Sequence, residues 1–498
     1  MQLTEQDHVR ASRTILAVVS LAAMAGTVSA SVPLLASPQR LSDALGQAND
    51  AAGYSVAAEG DLVIVGARGA DAGAANAGKV CVFRRTGSSW LQAGAVTEAF
   101  PTAQAQFGQT LAIDGSNAVI CARDPDGSGR AWVHRRTASG LDTIGLPLAL
   151  ATAPSDGFGA ATSIAGDWIA VSAPSRAGHG AVEIFRRTGS AWNHTQTIMP
   201  GTPAQSGLRF GASLSLSGTT LAIGCPGDAS AGPEAGAVLV YRLGNGSTWE
   251  LEATVRAADS AAADLFGAAV STNGDRLVVG AYRADGAVAD AGSVYVFRRS
   301  IGAWMFAQKL LPENALGQSD FGFAVAVSGD SIAIGAPAAV IEGNRRGTTY
   351  LYRDAGTQVV PLLRTNGPAG SGNEFAGTSV SVTSSILVAG APLATINASY
   401  AGAATVVDYA ADCDANGTPD ALAIASGAAD LNGDSIPDSC QCTGDLNGDG
   451  SVGGQDLGVL LGFWGTTAST FPRADINRDG LVTGADLGVL LSQWGPCG

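Results

Sequence analysis

The chain has 498 residues, 46% of them apolar, and this length allows a large buried core and more than one domain. Aromatic residues make up only 6% while glycine occurs 67 times, so the core must consist mainly of Ala, Val, Ile and Leu between glycine-rich turns. The formal net charge is −15. Because nucleic acid binding needs clustered Lys and Arg, this charge excludes nucleic acid as an expected partner.

Residues 1–30 have the pattern of a secretory signal peptide. Arg10 and Arg13 precede an apolar run, and Val28-Ser29-Ala30 offers small residues for cleavage. A retained membrane anchor is the alternative, but the apolar run is shorter than the roughly 20 residues that span a bilayer. We therefore expect a secreted, extracytoplasmic protein, either released or held at the cell surface.

Residues 31–411 contain one motif seven times. Each copy begins with a glycine, has an apolar residue or Thr three places later, and turns at the seventh place, usually at Gly. The first glycines of the copies are Gly53, Gly108, Gly159, Gly211, Gly267, Gly322 and Gly377. Apolar alternation before the turn and an apolar run after it predict two β-strands joined by a hairpin.

Two further strands complete each copy. The second strand ends in Gly-Ala-Pro or a variant, as at 335–337, and proline has no N–H to continue the ladder. A third strand ends on an aromatic residue or on His134, and a variable fourth segment follows, as at 304–310. Four antiparallel strands in roughly 50 residues are typical of a β-propeller blade. The sequence therefore predicts an all-β, seven-bladed β-propeller.

This pattern resembles the FG-GAP repeats that build the integrin α-chain propeller and occur in many bacterial secreted proteins. The resemblance covers residues from about 33 to 411 and implies a propeller that recognises a ligand. Integrin-type blades often carry an Asp-rich calcium loop, whereas a corresponding loop here reads Ser175-Arg176-Ala177-Gly178-His179-Gly180. We therefore expect no calcium in the blades.

The start of the mature chain is expected to close the ring. Leu41 lies twelve residues before Gly53, as Leu310 of a fourth segment lies twelve before Gly322. The seventh copy ends at its third strand near Tyr409. We infer that residues 34–42 supply the missing strand of the last blade and remove a free sheet edge.

Two sets of charged residues recur in the blades. Four hairpin turns carry an aspartate: Asp61, Asp167, Asp275 and Asp330. Four third strands end in a pair of arginines: Arg84-Arg85, Arg135-Arg136, Arg186-Arg187 and Arg298-Arg299. We favour a role in the turn for these aspartates over a catalytic role in glycoside cleavage, because they recur at equivalent positions and Asp tolerates turn dihedrals. The arginines are read as solvent-facing strand ends, with a basic rim for an anionic polysaccharide as the alternative.

No catalytic residues are predicted. His134, His179 and His194 are the only histidines after residue 30, and the chain has no nucleophile elbow, zincin motif or phosphate-binding glycine loop. We expect a non-enzymatic binding protein. The alternatives are a secreted carbohydrate-active enzyme, such as a glycoside hydrolase or lyase, and a purely structural envelope protein. The enzyme predicts paired carboxylates at one end of the channel that do not recur between blades.

Two segments near the C-terminus, 445–456 and 475–486, predict calcium loops. Oxygen ligands at loop positions 1, 3, 5, 7 and 12, with Gly at position 6, are what Ca²⁺ requires. The predicted ligands are Asp445, Asn447, Asp449, Ser451 and Asp456 in the first loop, and Asp475, Asn477, Asp479, Leu481 and Asp486 in the second.

Each loop continues into a predicted short helix, which gives an EF-hand-like loop-helix repeat. The apolar stripes are Leu457, Leu460, Leu461 and Trp464, and Leu487, Leu490, Leu491 and Trp494. We expect these stripes to pack against each other as one small core.

Residues 443–498 resemble a type I dockerin, and the ending Trp494-Gly495-Pro496-Cys497-Gly498 is similar to the GC-type variant of bacterial secreted proteins. The resemblance implies a cohesin-like or cell-envelope receptor. The positions that match dockerin contact residues are Gly454-Gln455 and Gly484-Ala485, and the Lys-Arg pair common in cellulosomal dockerins is missing. A cellulosomal partner is therefore not expected.

Residues 412–442 form an acidic segment upstream of these loops. From residue 412 onward the chain has twelve Asp and two Arg, a net −10 of the total −15, which calls for a cation or for disorder. The spacing resembles thrombospondin type 3 calcium repeats, and a solvated linker is the alternative. The implied ligands are Asp412, Asp414, Asn416 and Asp420, and Asp430, Asn432, Asp434 and Asp438.

Four cysteines, Cys413, Cys440, Cys442 and Cys497, lie in the same region. In an oxidising compartment they allow three pairings, of which we favour Cys413 with Cys440 and Cys442 with Cys497; a zinc site is the alternative. Cys81, Cys121 and Cys225 lie in strands of different blades and are expected to be buried thiols.

Together these features predict a secreted, monomeric, non-catalytic binding or adhesion protein. Its propeller would be the recognition face for a glycan or protein, and Ca²⁺ would stiffen the C-terminal module through which it is displayed or anchored.

Overall fold

A computed structural model gives the architecture of the chain. It describes residues 34–35, 38–87, 89–137, 140–144, 147–148, 153–201, 205–245, 247–286, 288–313, 318–367, 372–396, 398–410, 419–425, 428, 444–447, 451–467, 474–477 and 479–496. The predicted signal peptide therefore lies outside the described residues.

Seven sheets form a closed ring, the seven-bladed β-propeller that the glycine repeat predicts: each has four antiparallel strands, and the sheet of blade six has a fifth, parallel strand at its edge. The innermost strands contact each other in cyclic order from the first blade to the seventh and back to the first. Each second strand is completely or almost completely buried, so the core lies between the faces of neighbouring blades.

The strands of the first four blades follow in chain order after β1 (Leu34–Leu35) and β2 (Gln39–Leu41). Blade one contains β3 (Ala52–Glu59), β4 (Leu62–Ala67), β5 (Lys79–Thr86) and β6 (Ser89–Val96). Blade two contains β7 (Thr110–Asp114), β8 (Asn117–Arg123), β9 (Gly129–Thr137) and β10 (Gly140–Ile144). Blade three contains β11 (Thr162–Ala165), β12 (Trp168–Ala173), β13 (Ala181–Thr188) and β14 (Ala191–Ile198), with a 3-10 turn at Arg176–Gly178. Blade four contains β15 (Leu214–Ser217), β16 (Thr220–Cys225), β17 (Ala237–Leu243) and β18 (Trp249–Val255).

The last three blades have the same arrangement. Blade five contains β19 (Ala269–Thr272), β20 (Arg276–Ala281), β21 (Ser293–Ser300) and β22 (Ala303–Leu310). Blade six contains β23 (Ala324–Ser328), β24 (Ser331–Ala336), β25 (Thr348–Asp354) and β26 (Val359–Asn366). Blade seven contains β27 (Ser379–Val382), β28 (Ile386–Ala391) and β29 (Ala403–Asp408), and β2 is its fourth strand.

Glycine is required where two blades meet. All seven first glycines have φ between +84° and +90°, a conformation that other residues rarely adopt. A Cβ atom on Gly280 in blade five would lie 2.0 Å from the carbonyl oxygen of Gly322 in blade six. A Cβ atom on Gly390 would lie 1.9 Å from the carbonyl oxygen of Gly53, so the junction that closes the ring is as tight as the one between blades five and six.

Hydroxyl groups of the innermost strands link neighbouring blades. Four of them donate to the first-glycine carbonyl of the next blade: Ser55 to Gly108 (2.6 Å), Thr110 to Gly159 (2.9 Å), Ser213 to Gly267 (2.8 Å) and Ser379 to Gly53 (2.9 Å). Because these carbonyls lie at close backbone contacts, the hydroxyls satisfy acceptors that would otherwise lose water without replacement.

The N-terminal segment divides between two blades. Gln39–Leu41 pairs antiparallel with β29, and Gln39 exchanges two hydrogen bonds with the backbone of Trp90 in blade one (3.2 and 3.3 Å). The sequence analysis assigned all of 34–42 to the last blade, but Leu34–Leu35 pairs in parallel with β26 of blade six. Pro38 lies between the two strands and has no N–H for a continuous ladder.

The described part of the C-terminal region contains three helices, α1 (Asp420–Ala425), α2 (Gly454–Gly462) and α3 (Gly484–Ser492). Helix α1 lies against β1 and β26, where Leu422 and Ile424 pack on the core between blades six and seven. A short ladder joins β30 (Ser451–Val452) to β31 (Gly495–Pro496). Among the described residues, no helix is long and apolar enough to cross a membrane.

The predicted packing of the two apolar stripes is wrong in part. Leu460 and Leu490 are fully buried, but Leu461, Trp464, Leu491 and Trp494 are about half exposed. The helices end at Gly462 and Ser492, before either Trp. The core is instead completed from the loops, by Leu446, Val452, Ala474, Ile476 and Val482.

Candidate functional site

One mouth of the central channel is formed by the hairpin turns between the first and second strands of all seven blades. A cavity of about 790 Å³ opens there. Blades one to three contribute the carboxylates Glu59, Asp114 and Asp167 to its lining, whereas the other blades contribute uncharged groups such as Ser217 and Asn273. We call this opening the acidic mouth.

Glu59 and Asp114 each reach the turn of the next blade. Glu59 Oε1 accepts a hydrogen bond from the Gly115 N–H (3.0 Å), and Asp114 Oδ2 accepts one from the Gly166 N–H (2.6 Å). The other carboxylate oxygen of Glu59, Oε2, is buried without a hydrogen-bond partner. Burial, and then the nearby Asp114 charge, raise the pKa of Glu59 above its usual range.

The sequence analysis did not single out these two carboxylates. Glu59 and Asp114 occupy the position immediately before the hairpin glycine, where the other blades have Ala165, Ser217, Asn273, Ser328 or Thr383. The signal that identifies them is therefore a departure from the repeat. They are non-recurring carboxylates at one end of the channel, which is the feature that the enzymatic alternative predicts.

The recurring turn acids have a different role. Asp61 pairs with Arg84 (3.0 Å) and with Arg136 of the next blade, and Asp167 pairs with Arg187 (2.6 Å). The same arrangement occurs between third-strand arginines and turn acids in blades five and six. These contacts agree with the structural role that the sequence analysis favoured for the turn acids.

Most of the paired arginines are therefore neutralised. Arg298 binds Asp354 (2.5 Å), and Arg299 binds Glu252 (2.5 Å). Arg85 binds Asp408 and so links blade one to blade seven. A continuous basic rim at the ends of the third strands is not supported by this geometry.

The opposite mouth of the channel is lined differently. The first strand of each blade begins at this second mouth, because its other end lies in the hairpin at the acidic mouth. The second strand of each blade ends at the second mouth for the same reason. At this end the Arg68 guanidinium lies 3.4 Å from the centre of the Tyr54 ring in blade one. Tyr282 of blade five and Phe323 of blade six form an edge-to-face pair with ring centres 5.3 Å apart. We call this opening the aromatic mouth.

In the second loop of the C-terminal module, the predicted ligands Asp475 and Asp486 accept hydrogen bonds from backbone N–H groups of the same loop. The buried Asp486 side chain accepts hydrogen bonds from the N–H groups of Asn477 (3.0 Å) and Thr483 (2.7 Å). Asp475 Oδ2 accepts from the Gly480 N–H (3.0 Å), while Asp475 Oδ1 is buried without a hydrogen-bond partner. An orphaned carboxylate oxygen in a loop of oxygen donors is what a bound Ca²⁺ would satisfy.

The first loop repeats this arrangement at its last position. Asp456 is buried and accepts from the N–H groups of Asn447 (3.1 Å) and Gly453 (2.8 Å). Burial alone would raise the pKa of Asp456, but these backbone donors hold it below its usual range. The carboxylate is therefore ionised at neutral pH, as a metal ligand must be.

The described residues show no group of three or more acidic, His or Cys side chains that converges on one point. In the second loop Asp479 instead accepts from Leu481 N–H and Asn477 Nδ2, both at 3.0 Å. The donor chemistry of the loop still fits Ca²⁺, because an amide oxygen and a backbone carbonyl would supply the remaining ligands.

Of the ligands predicted in the acidic segment 412–442, the structure describes Asp420, which is buried at the start of α1. Asp412, Asp414, Asn416, Asp430, Asn432, Asp434, Asp438, Asp449, Cys413, Cys440, Cys442 and Cys497 lie outside the described residues.

Four segments of the chain, residues 38–83, 192–241, 249–297 and 304–352, match the FG-GAP repeat. Four of the seven units are FG-GAP repeats. Each matched segment begins within one residue of the start of a fourth strand and continues into the third strand of the next blade. The first FG-GAP segment therefore contains β2, which explains why the N-terminal strand completes the seventh blade.

Solved structures with a similar fold share little sequence with this chain. The Mitotic Checkpoint Complex structure has 13% identity over 78% of this chain and 99% of that chain, with a TM-score of 0.43. A putative 6-phosphogluconolactonase from Bacteroides uniformis has 12% identity over 63% and 88% (TM-score 0.41). The periplasmic gluconolactonase PpgL of Pseudomonas aeruginosa has 16% over 63% and 85% (TM-score 0.42). We base no function on similarities this low, and no protein with a curated description matches the chain.

The histidines of the FG-GAP propeller have structural roles. His194 Nε2 lies 2.7 Å from the fully buried Glu183, which also pairs with Arg176. His134 is 1% exposed and packs edge-to-face on Phe107. Burial lowers the pKa of His134 to about 4. His134 is therefore neutral at physiological pH and is enclosed in blade two.

We expect the unfolding free energy of the His134→Phe variant to depend less on pH than that of the wild-type protein. The pKa of His134 is lower in the folded than in the unfolded state, so its stabilising contribution is full above pH 6.5 and is lost as the pH falls towards 4. Between pH 8 and pH 5, protonation of His134 alone should lower the unfolding free energy of the wild-type protein by about 2 kcal/mol.

Phe already occupies the equivalent position in three blades, at Phe83, Phe185 and Phe297. Urea denaturation of both proteins at pH 8 and pH 5 measures the effect, because all other titrating groups cancel in the comparison. An identical pH dependence of the two proteins would show that His134 is not buried in its neutral form.

Proposed function

We propose that this protein is a secreted binding protein. Its FG-GAP propeller recognises a ligand, and its C-terminal dockerin-like module, held together by Ca²⁺, attaches it to a cohesin-like or cell-envelope receptor. The observation that carries the metal part of the proposal is the buried Asp475 Oδ1, which lacks a hydrogen-bond partner. A buried carboxylate oxygen without a partner is costly unless a cation binds it.

The module also has exposed apolar surface that suits a docking role. Leu461 lies in the last turn of α2 and Trp464 just after it, and Leu491 and Trp494 occupy the equivalent places at the end of α3. Each of the four is between 45% and 52% exposed. Exposed Trp and Leu side chains are unfavourable in water and are typical of surfaces that bind a partner. Their duplication offers the receptor two equivalent patches.

Metal binding and docking are expected to be coupled. The carboxylates of each loop repel one another until Ca²⁺ neutralises them, so the loops position the two helices only when the metal is bound. Capture of the protein by cell-envelope extract should therefore occur with Ca²⁺ and be lost with excess chelator. Equal capture under both conditions would contradict this coupling.

We predict that Asp486→Asn removes one calcium site. Asp486 is fully buried and binds two backbone N–H groups, so the variant removes the charge while it keeps most of the side-chain volume. Calorimetric titration of the full chain should show one site fewer. In scanning calorimetry, the transition of the module should no longer rise with added Ca²⁺ as the wild-type transition does.

Asp275→Asn is the matched control for this experiment, because its side chain is 91% exposed in a propeller turn. The control should keep the wild-type stoichiometry. If Asp486→Asn also kept it, or if excess chelator left the module transition of the wild-type protein unchanged, the calcium proposal would be wrong.

The acidic mouth supports a second candidate function, that of a carbohydrate-active enzyme. Glu59 has a raised pKa, and Asp114 beside it accepts a backbone N–H. Two carboxylates in different environments are the arrangement by which glycosidases separate a general acid from its partner. This candidate rests on the carboxylates being absent from the equivalent positions of the other blades.

A Glu59→Gln variant tests the second candidate. If the mouth is catalytic, any glycan-cleaving activity of the wild-type protein should fall at least 100-fold, because the acid that protonates the leaving group is removed. Asp167→Asn, in the same lining but paired with Arg187, is the control and should keep that activity. Wild-type protein that cleaves no glycan in a broad screen would count against the enzyme.

A further inference from the structure

Several arginines on the side of the aromatic mouth have no salt bridge with a described residue. Four arginines lie at the ends of second strands or in the adjoining loops on this side: Arg68, Arg123, Arg283 and Arg345. None of the four forms a salt bridge with a described residue, whereas most other arginines of the propeller do. Asp320 is the acid that Arg283 and Arg345 influence electrostatically.

Two of these arginines are held against aromatic rings. The Arg68 guanidinium lies 3.4 Å from the centre of the Tyr54 ring, and that of Arg283 lies 5.8 Å from the centre of the Tyr282 ring. A guanidinium stacked on a ring keeps its N–H groups free at its edge and loses less freedom when it binds an anion. This arrangement leaves planar donor groups directed away from the rings.

The aromatic pair beside them is partly open. Phe323 is 38% exposed and contacts Tyr282 edge-to-face across the boundary between blades five and six. Aromatic rings bury the apolar faces of ligands at low entropic cost, and sugar rings have such faces. Arginines that form no salt bridge with a described residue, together with an exposed ring, are therefore complementary to an acidic sugar.

We propose that the aromatic mouth of the propeller binds a polysaccharide built from uronic acids. Arg68 and Arg283 contact the sugar carboxylates through paired N–H donors, and Tyr282 and Phe323 contact the sugar rings. This inference deepens the proposed function, on which it rests, by naming the class of ligand. The planar fork of Arg matches a planar carboxylate in two parallel hydrogen bonds, which is the reason to choose uronates over sulfated sugars.

The test uses the full chain without added Ca²⁺, because Ca²⁺ would cross-link the polymer, and measures binding to alginate, a polymer of uronates, by calorimetry at physiological salt. Neutral dextran and dextran sulfate are the comparison polymers. We expect binding to alginate, none to dextran, and weaker binding to dextran sulfate. Each of Arg68→Gln and Arg283→Gln should weaken alginate binding about tenfold, because each removes a charge-assisted pair of hydrogen bonds.

Arg186→Gln is the matched control. Arg186 also stacks on an aromatic ring, 5.1 Å from the centre of Trp168, but it lies on the side of the acidic mouth. This variant should bind alginate like the wild-type protein. Circular dichroism spectra should show that all three variants remain folded, since each replaces a solvent-accessible guanidinium with a polar side chain.

Three results would overturn the inference: no binding to alginate, equal binding to dextran sulfate, or equal losses in Arg186→Gln and the two mouth variants. Equal binding to dextran sulfate would mean attraction by charge alone. None of these results would affect Ca²⁺-dependent capture by cell-envelope extract, so failure of the inference is distinguishable from failure of the proposed function.

Discussion

The close approach of backbones at the glycine junctions between blades is the constraint on which the rest of this structure depends. At Gly280 and Gly390 the carbonyl oxygen of the next blade lies where a Cβ atom would be. Every first glycine has nearly the same positive φ, so the chain turns into each new blade in the same way. Seven equivalent junctions close the ring and create two mouths whose linings face opposite sides of the molecule.

The number of blades and the closing strand could be predicted because both depend on residues that repeat. The first glycine of every copy has a positive φ that other residues rarely adopt, so its spacing reports the blade count directly. The match between Gln39-Arg40-Leu41 and Gln308-Lys309-Leu310 likewise reflects a shared role, since Gln39 binds the backbone of Trp90 as Gln308 binds that of Val359. Leu34–Leu35, which match no repeat, were placed on the wrong blade.

The functional groups were harder to predict, because they are departures from the repeat. Glu59 and Asp114 replace small or uncharged residues at a turn position, and their significance appears only when all seven turns meet at one mouth. The exposure of Trp464 and Trp494 was also missed, because an apolar stripe does not show where its helix ends. The calcium loops stay a prediction from spacing, which the sequence can make because their ligands are close in sequence.

The two mouths give the propeller opposite chemical character, which a ring of similar blades would not have by itself. Carboxylates are concentrated on blades one to three at one mouth. Arginines without salt bridges and aromatic rings lie on blades one, five and six at the other.

The ring closure is tested most directly by the stability of two leucine variants of the N-terminal segment. Leu41 is 1% exposed in the core between blades seven and one, whereas Leu45 is 82% exposed. In urea denaturation at neutral pH, Leu41→Ala should lose about 2–4 kcal/mol of unfolding free energy, and Leu45→Ala should change it by less than about 0.5 kcal/mol. Small and equal effects of both substitutions would contradict a ring closed by its N-terminal strand.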